Sequence, residues 1–169
     1  MINPAQEIRN ELKKRGINSR QVSVRCSHSS LDIRIKDLSV CAEDVSKIAK
    51  QFERVDRCQY SGEILAGGNF FVSVCYSFDA EKEAEQTDLY EEILSEVKIS
   101  LDTLKDDGGG VELRGGAWAF LRNNGVGYQT TLPWTDNYWD IFWRAEELAL
   151  EIYRATVQGK LKNNPKETC

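Results

Sequence analysis

Residues 21–36 constrain this chain more than any other stretch, because two short segments there each alternate apolar and polar residues with period two. Val22, Val24 and Cys26 form one apolar set, and Leu31, Ile33 and Ile35 form the other. Alternation of this kind marks a half-buried strand. With Ser27, His28, Ser29 and Ser30 as the connecting turn, Cys26 falls opposite Leu31, Arg25 opposite Asp32, Val24 opposite Ile33 and Val22 opposite Ile35. Both apolar sets then lie on one side of the pair, an agreement that a slip of one residue destroys. That side needs a cover. Residues 42–55 are predicted to supply it as a helix whose single apolar stripe is Val45, Ile48, Ala49, Phe52 and Val55. Ser39 is available as its N-cap, and Glu43 and Asp44 complement the positive end of the helix dipole. Residues 70–76 read as a third strand.

A first helix precedes this unit. Asn3 is placed to cap it, Pro4 occupies its first position, and Gln6 follows three residues after the cap. Gly16 stops it, with Ile17 packing back on the last turn. Between the second helix and the third strand, residues 56–69 form a connection too long for a tight turn. Ser61-Gly62 and Gly67-Gly68-Asn69 are turn signals within it. The segment is expected to fold back on the edge of the first sheet as a short strand or ordered loop. Ile64 and Leu65 are then packed, with Arg57 and Tyr60 accessible.

After Phe78 the chain turns acidic and then settles into Leu89, Ile93, Val97, Leu101 and Leu104, a helical core stripe with Thr87 as N-cap. Residues 111–114 and 117–122 read as strands with a bend at Gly115-Gly116. Asn124-Gly125 is the chain's strongest hairpin signal, because both central positions of a type I′ turn need positive φ. A returning strand follows at 127–132. Pro133 ends it, and Thr135 or Asp136 is predicted to cap a last helix reaching about residue 157. The core stripe of that helix is Tyr138, Ile141, Phe142, Ala145, Leu148, Ala149, Ile152 and Ala155.

These elements define an α+β fold of antiparallel strands covered on one face by helices. Its first unit is expected at 1–78, a second at 79–158, and a polar, disordered tail at 159–169. The 169 residues suffice for a real core, and 41% apolar with 29% charged residues is the balance of a soluble globular protein. No run of about 18 apolar residues spans a bilayer, and no basic-then-apolar leader opens the sequence, so the expected location is cytoplasmic. The net charge of −5 conceals an asymmetry: residues 1–60 carry twelve Lys or Arg against eight Asp or Glu, and the remainder ten against nineteen. The overall sign argues against strong nonspecific nucleic-acid binding, which depends on phosphate neutralisation.

Catalytic and metal chemistry find little footing. The five cysteines, Cys26, Cys41, Cys58, Cys75 and Cys169, are odd in number and contain no C-x-x-C pair, which favours reduced thiols. Cys26, His28, Cys41 and Cys58 lack the two tight pairs of a structural zinc site. Asp106-Asp107 followed by three glycines lacks the oxygen series and distal Glu of a calcium loop. His28 is the only histidine and sits in a serine-rich turn, without the acid partner or G-x-S-x-G text of a hydrolase. Gly67-Gly68-Asn69 precedes a strand, whereas a phosphate cradle follows one. No catalytic set, metal or cofactor is therefore expected.

The helix, strand pair, helix and final strand of the first half carry the texts Ile8-Arg9-Asn10-Glu11-Leu12-Lys13, Gln21-Val22-Ser23-Val24-Arg25 and Val45-Ser46-Lys47-Ile48-Ala49-Lys50-Gln51-Phe52-Glu53, with the run 62–76 after them. In this order over roughly the first 76 residues, the chain resembles the large polyvalent-protein-associated domain, the twenty-ninth family of that series. Such domains occur in proteins of phages, plasmids and conjugative elements. The resemblance implies an accessory or binding role in that setting and carries no catalytic residues across.

Two candidate surfaces remain. Trp134, Trp139 and Trp143 cluster near the last helix, beside a core stripe already wide without them, and tryptophans of this kind anchor protein interfaces. They make a protein partner the leading expectation, with self-association through the same patch as its variant. Arg25, Arg34 and Lys36 project from the polar face of the strand pair, and Arg54, Arg57 and Tyr60 follow the second helix. These six offer an anion or nucleic-acid surface as the alternative.

Overall fold

The computed structural model describes residues 3–122, 125–135 and 139–161. The chain divides into two compact units, Met1–Glu81 and Lys82–Cys169. The architecture is α+β, with one mixed and one antiparallel sheet. No helix among the described residues is long and apolar enough to cross a membrane.

In the first unit, α1 (Pro4–Lys14) begins as its sequence dictates. The Asn3 side chain accepts the Ala5 N–H, and proline stands in the first turn. It ends at Gly16, whose φ of +80° allows the Ile17 N–H to reach back to the Leu12 carbonyl. Strands β1 (Val22–Cys26) and β2 (Ser30–Ile35) pair antiparallel in the register read from their alternation, Val22 with Ile35, Val24 with Ile33 and Cys26 with Leu31. Cys26 nevertheless lies exposed at the end of the strand. The third strand, β3 (Phe71–Tyr76), lies on the other side of β2 and runs parallel to it, which corrects the all-antiparallel expectation. The cause is the intervening helix α2 (Ala42–Ala49): a helical crossover returns the chain to the end where β2 began, whereas a hairpin reverses it. Ala5, Ile8 and Leu12 of α1 and Val45, Ile48 and Ala49 of α2 form one core with Val22, Val24, Leu31, Ile33, Ile35 and Val72. Both helices thus cover the same sheet face.

The start of α2 is held differently from the expected Ser39 cap. Ser39 is engaged with Asp37, which accepts its backbone N–H and its hydroxyl. Cys41 is the N-cap and provides no side-chain hydrogen bond. Tyr76 supplies the missing partner from β3: its hydroxyl accepts the Ala42 N–H and donates to the Val40 carbonyl, both at 3.2 Å.

The second unit contains α4 (Asp88–Asp107), an antiparallel meander of β4 (Gly110–Leu113), β5 (Ala117–Leu121), β6 (Tyr128–Thr131) and β7 (Asp140–Phe142), and then α5 (Ala145–Val157). A short helix, α3 (Phe78–Ala84), precedes them. Thr87 caps α4 as predicted, accepting the Tyr90 N–H. The core joins Tyr90, Ile93, Val97, Leu101 and Leu104 of α4, Leu148, Ala149 and Ile152 of α5, and Leu113, Ala117, Ala119 and Tyr128 of the sheet. Leu89 packs only at its margin. The predicted helix from 135 is corrected: residues 140–142 are a strand, and the helix starts at Ala145. Asn124, Asp136 and Tyr138, and residues 162–169 of the expected tail, lie outside the described residues, whereas the start of that tail is corrected: the Gly159 and Lys160 N–H groups bond back to the Thr156 and Ala155 carbonyls.

Candidate functional site

On β5 the sequence reads Ala-Trp-Ala-Phe, and burial splits it by side-chain size. Ala117 and Ala119 are fully buried among the core residues, while Trp118 is 41% exposed on the opposite face. Small side chains let α4 approach the sheet closely, and period-two alternation then turns the large rings outward. Cross-strand register extends this outer face across all four strands. Glu112 pairs with Trp118 and Trp118 with Thr131; Gly110 pairs with Phe120, Phe120 with Gln129 and Gln129 with Ile141. Paired residues share a face. Trp118, Phe120 and Ile141 therefore stand on one helix-free surface with Gln129 and Thr131 between them.

Trp139 and Trp143, which flank β7 in phase with Ile141, complete that surface at 47% and 53% exposure. The rings touch one another. Trp118 and Phe120 stack at 6.3 Å between centroids, and Phe120 meets Trp139 edge-on at 6.1 Å. Two glycines leave room for this arrangement. A Cβ on Gly110 would lie 2.4 Å from the Phe120 ring, and one on Gly127 would lie 2.8 Å from the Trp143 ring. The Arg122 guanidinium carbon sits 4.8 Å from the Trp143 ring centroid, in cation–π geometry.

The corner between β7 and α5 fixes the backbone of Trp143. Glu147 reaches back from the first turn of α5 and accepts the Trp143 N–H at 2.9 Å and the Arg144 N–H at 3.2 Å. The Trp143 N–H is the main reason that the Glu147 carboxyl titrates below its usual range.

Of the three tryptophans singled out from sequence, Trp139 and Trp143 come together on this surface and Trp134 does not. Trp134 packs at the margin of the core beside Gly115, and its indole nitrogen is buried without a partner among the described residues. Trp118 and Phe120 are not marked by hydropathy, because they alternate with the equally apolar Ala117 and Ala119. Compared with known proteins, the chain matches no family model, no curated protein and no solved structure. The site stands on its geometry.

The basic candidates separate into two groups. Arg25 and Arg34 lie on the open face of the first sheet, opposite the buried side chains of β1 and β2, and Lys36 follows in phase. Arg25 does pair in register with Asp32, yet the two form no ion pair among the described residues. Arg54 bridges to Phe70, a residue packed on the core side, and so does not join that face. Arg57 bridges to Ile64 and donates to the Gly62 carbonyl within the connecting loop.

That loop is ordered by its own hydrogen bonds. Leu65 N–H reaches the Asp56 carbonyl, Cys58 N–H the Glu63 carbonyl, and the Asn69 side chain joins Asp56 to Leu65. The expected packing of Ile64 and Leu65 is corrected, since both are 48% exposed. Backbone pairing between short turns holds the loop. Tyr60 is 99% exposed at its tip. The Cys58 thiol is lowered to about 7, chiefly by the Ser61 hydroxyl and then by the Ser61 and Tyr60 amides. Among the described residues no three His, Cys, Asp or Glu side chains gather in a metal-binding group.

Proposed function

We propose that this chain is a non-catalytic interaction module that binds a protein partner through the open aromatic face of its second unit. The observation that carries the reading is the convergence of Trp118, Phe120, Trp139, Ile141 and Trp143 on one side of a sheet whose other side is filled by helices. Tryptophan-rich patches of this kind supply large rigid contact area at low entropic cost, and truncating such anchors commonly costs 2 kcal/mol or more in binding, on the order of thirtyfold in affinity. Association with a phage, plasmid or conjugative element, and a cytoplasmic setting, are part of the proposal. They rest on the resemblance of the first 76 residues to the large polyvalent-protein-associated domain.

Site-specific photo-crosslinking tests the reading. A photoreactive residue at position 141 is expected to trap a protein partner that the same residue at position 34 does not. The purified partner is then expected to bind a Trp118→Ala, Trp143→Ala variant at least tenfold more weakly than wild type, with an unchanged circular dichroism spectrum. Equal affinity for both overturns the proposal. Crosslinking only to a second copy of this chain identifies the face as a self-association surface instead.

A second reading is favoured by one observation in the first unit: Arg25, Arg34 and Lys36 share a helix-free sheet face. That arrangement supports nucleic-acid or nucleotide binding by phosphate contacts. It predicts an affinity that falls steeply with salt and with Arg34→Ala plus Lys36→Ala. No shift of labelled DNA or RNA at low salt removes it.

A further inference from the structure

We infer that the aromatic face is built to receive arginine side chains, so that its partner is a protein segment rich in guanidinium groups. The inference rests on the protein-binding reading above and narrows it. Three observations point the same way. First, the face already holds a guanidinium: Arg122 lies over the Trp143 ring at 4.8 Å, which shows the geometry an incoming arginine would adopt on the neighbouring rings. Indole carries the most negative ring face of the aromatic side chains, and the planar guanidinium stacks on it better than an ammonium does.

Second, a carboxylate stands beside the rings. Glu112 is exposed and is the cross-strand partner of Trp118 on the same outer face. Glu92 and Glu96 of α4 are held by Arg114, whereas Glu112 has no ion pair among the described residues. A guanidinium lying on Trp118 is thus within reach of an acceptor that matches its fork of donors. Third, the unit that carries the face has an acidic balance. Residues 82–169 carry sixteen Asp or Glu against ten Lys or Arg. A unit of that sign draws basic segments towards it and repels acidic ones. A purely apolar partner would use the rings and leave Glu112 and the surrounding charge without a role.

Four eight-residue peptides in which glycine alternates with Arg, Lys, Glu or Leu test the inference, titrated into the full chain and followed by tryptophan fluorescence and by indole N–H resonances. The arginine peptide is expected to saturate, to bind at least threefold more tightly than the lysine peptide, and to leave the glutamate peptide without effect. Its largest resonance shifts are expected at Trp118 and Trp139. Glu112→Gln, a near-isosteric change at an exposed position, and Trp118→Ala are each expected to weaken it by threefold or more, with thermal unfolding showing both variants folded. Preference for the leucine peptide overturns the inference and leaves the protein-binding face standing. Equal binding of the arginine and lysine peptides, vanishing with salt, overturns it by reducing the effect to net charge. No binding by any of the four overturns it as well.

Discussion

Cys58 shows how little structure is needed to change the chemistry of one residue. The Ser61 hydroxyl and then the Ser61 and Tyr60 amides of its loop favour the thiolate. Because the folded value is lowered to about 7, the anion dominates above that pH and is lost as pH falls through it. The thiolate is the nucleophile. Alkylation of Cys58 by iodoacetamide, followed residue by residue by mass spectrometry, is expected to reach half its maximal rate near pH 7, ahead of an ordinary thiol at about 8.5. A rate that rises only above pH 8 contradicts the hydrogen-bonded loop. Gly127 makes a steric counterpart on the candidate face. It has a φ of +76°, and a Cβ there would meet the Trp143 ring at 2.8 Å and the Phe142 carbonyl oxygen at 3.0 Å. Gly127→Ala is expected to cost about 1–3 kcal/mol, read as a lower midpoint of chemical denaturation. An unchanged midpoint contradicts the placement of Trp143 over this glycine.

At the scale of elements, α2 depends on a residue from another element. Tyr76 on β3 satisfies the Ala42 N–H that the Cys41 cap leaves open, so Tyr76→Phe removes one hydroxyl and one helix-start hydrogen bond while keeping the ring. A loss of about 1 kcal/mol is expected, and hydrogen exchange of the α2 amides is the sharper measurement, because protection should fall there before it falls in β2. This cap was not legible in the sequence, since the partners are 34 residues apart and nothing local announces them. The β1–β2 register was legible because two alternating apolar sets admit only one in-phase pairing. β7 was hidden by a coincidence. Ile141, Phe142, Ala145, Leu148 and Ile152 run at helical spacing straight through the boundary, although Trp139, Ile141 and Trp143 alternate with period two and carry the true signal. The aromatic face was hidden likewise: Ala117, Trp118, Ala119 and Phe120 are all apolar, so hydropathy does not separate inside from outside, and only side-chain volume does.

For the whole molecule, the distribution of cores and of chromophores makes the division into two units measurable. The first core cluster draws on described residues no later than Tyr76, and the second on none before Leu89. Each unit therefore closes an apolar interior from its own chain, and a unit that does so has the means to fold without the other. All four tryptophans belong to the second unit, whereas helices and strands occur in both. Tryptophan fluorescence consequently reports the second unit alone, and far-ultraviolet circular dichroism reports the two together. Denaturant titrations followed by the two probes are expected to give non-coincident transitions, which is how independent cooperative units depart from a single two-state step. The fragment Met1–Glu81 is expected to unfold cooperatively by circular dichroism, with a slope against denaturant smaller than that of the full chain, because the slope scales with the surface exposed. Superimposable curves from both probes in the full chain, together with a fragment that shows no cooperative transition, would mean that the first unit draws its stability from the second.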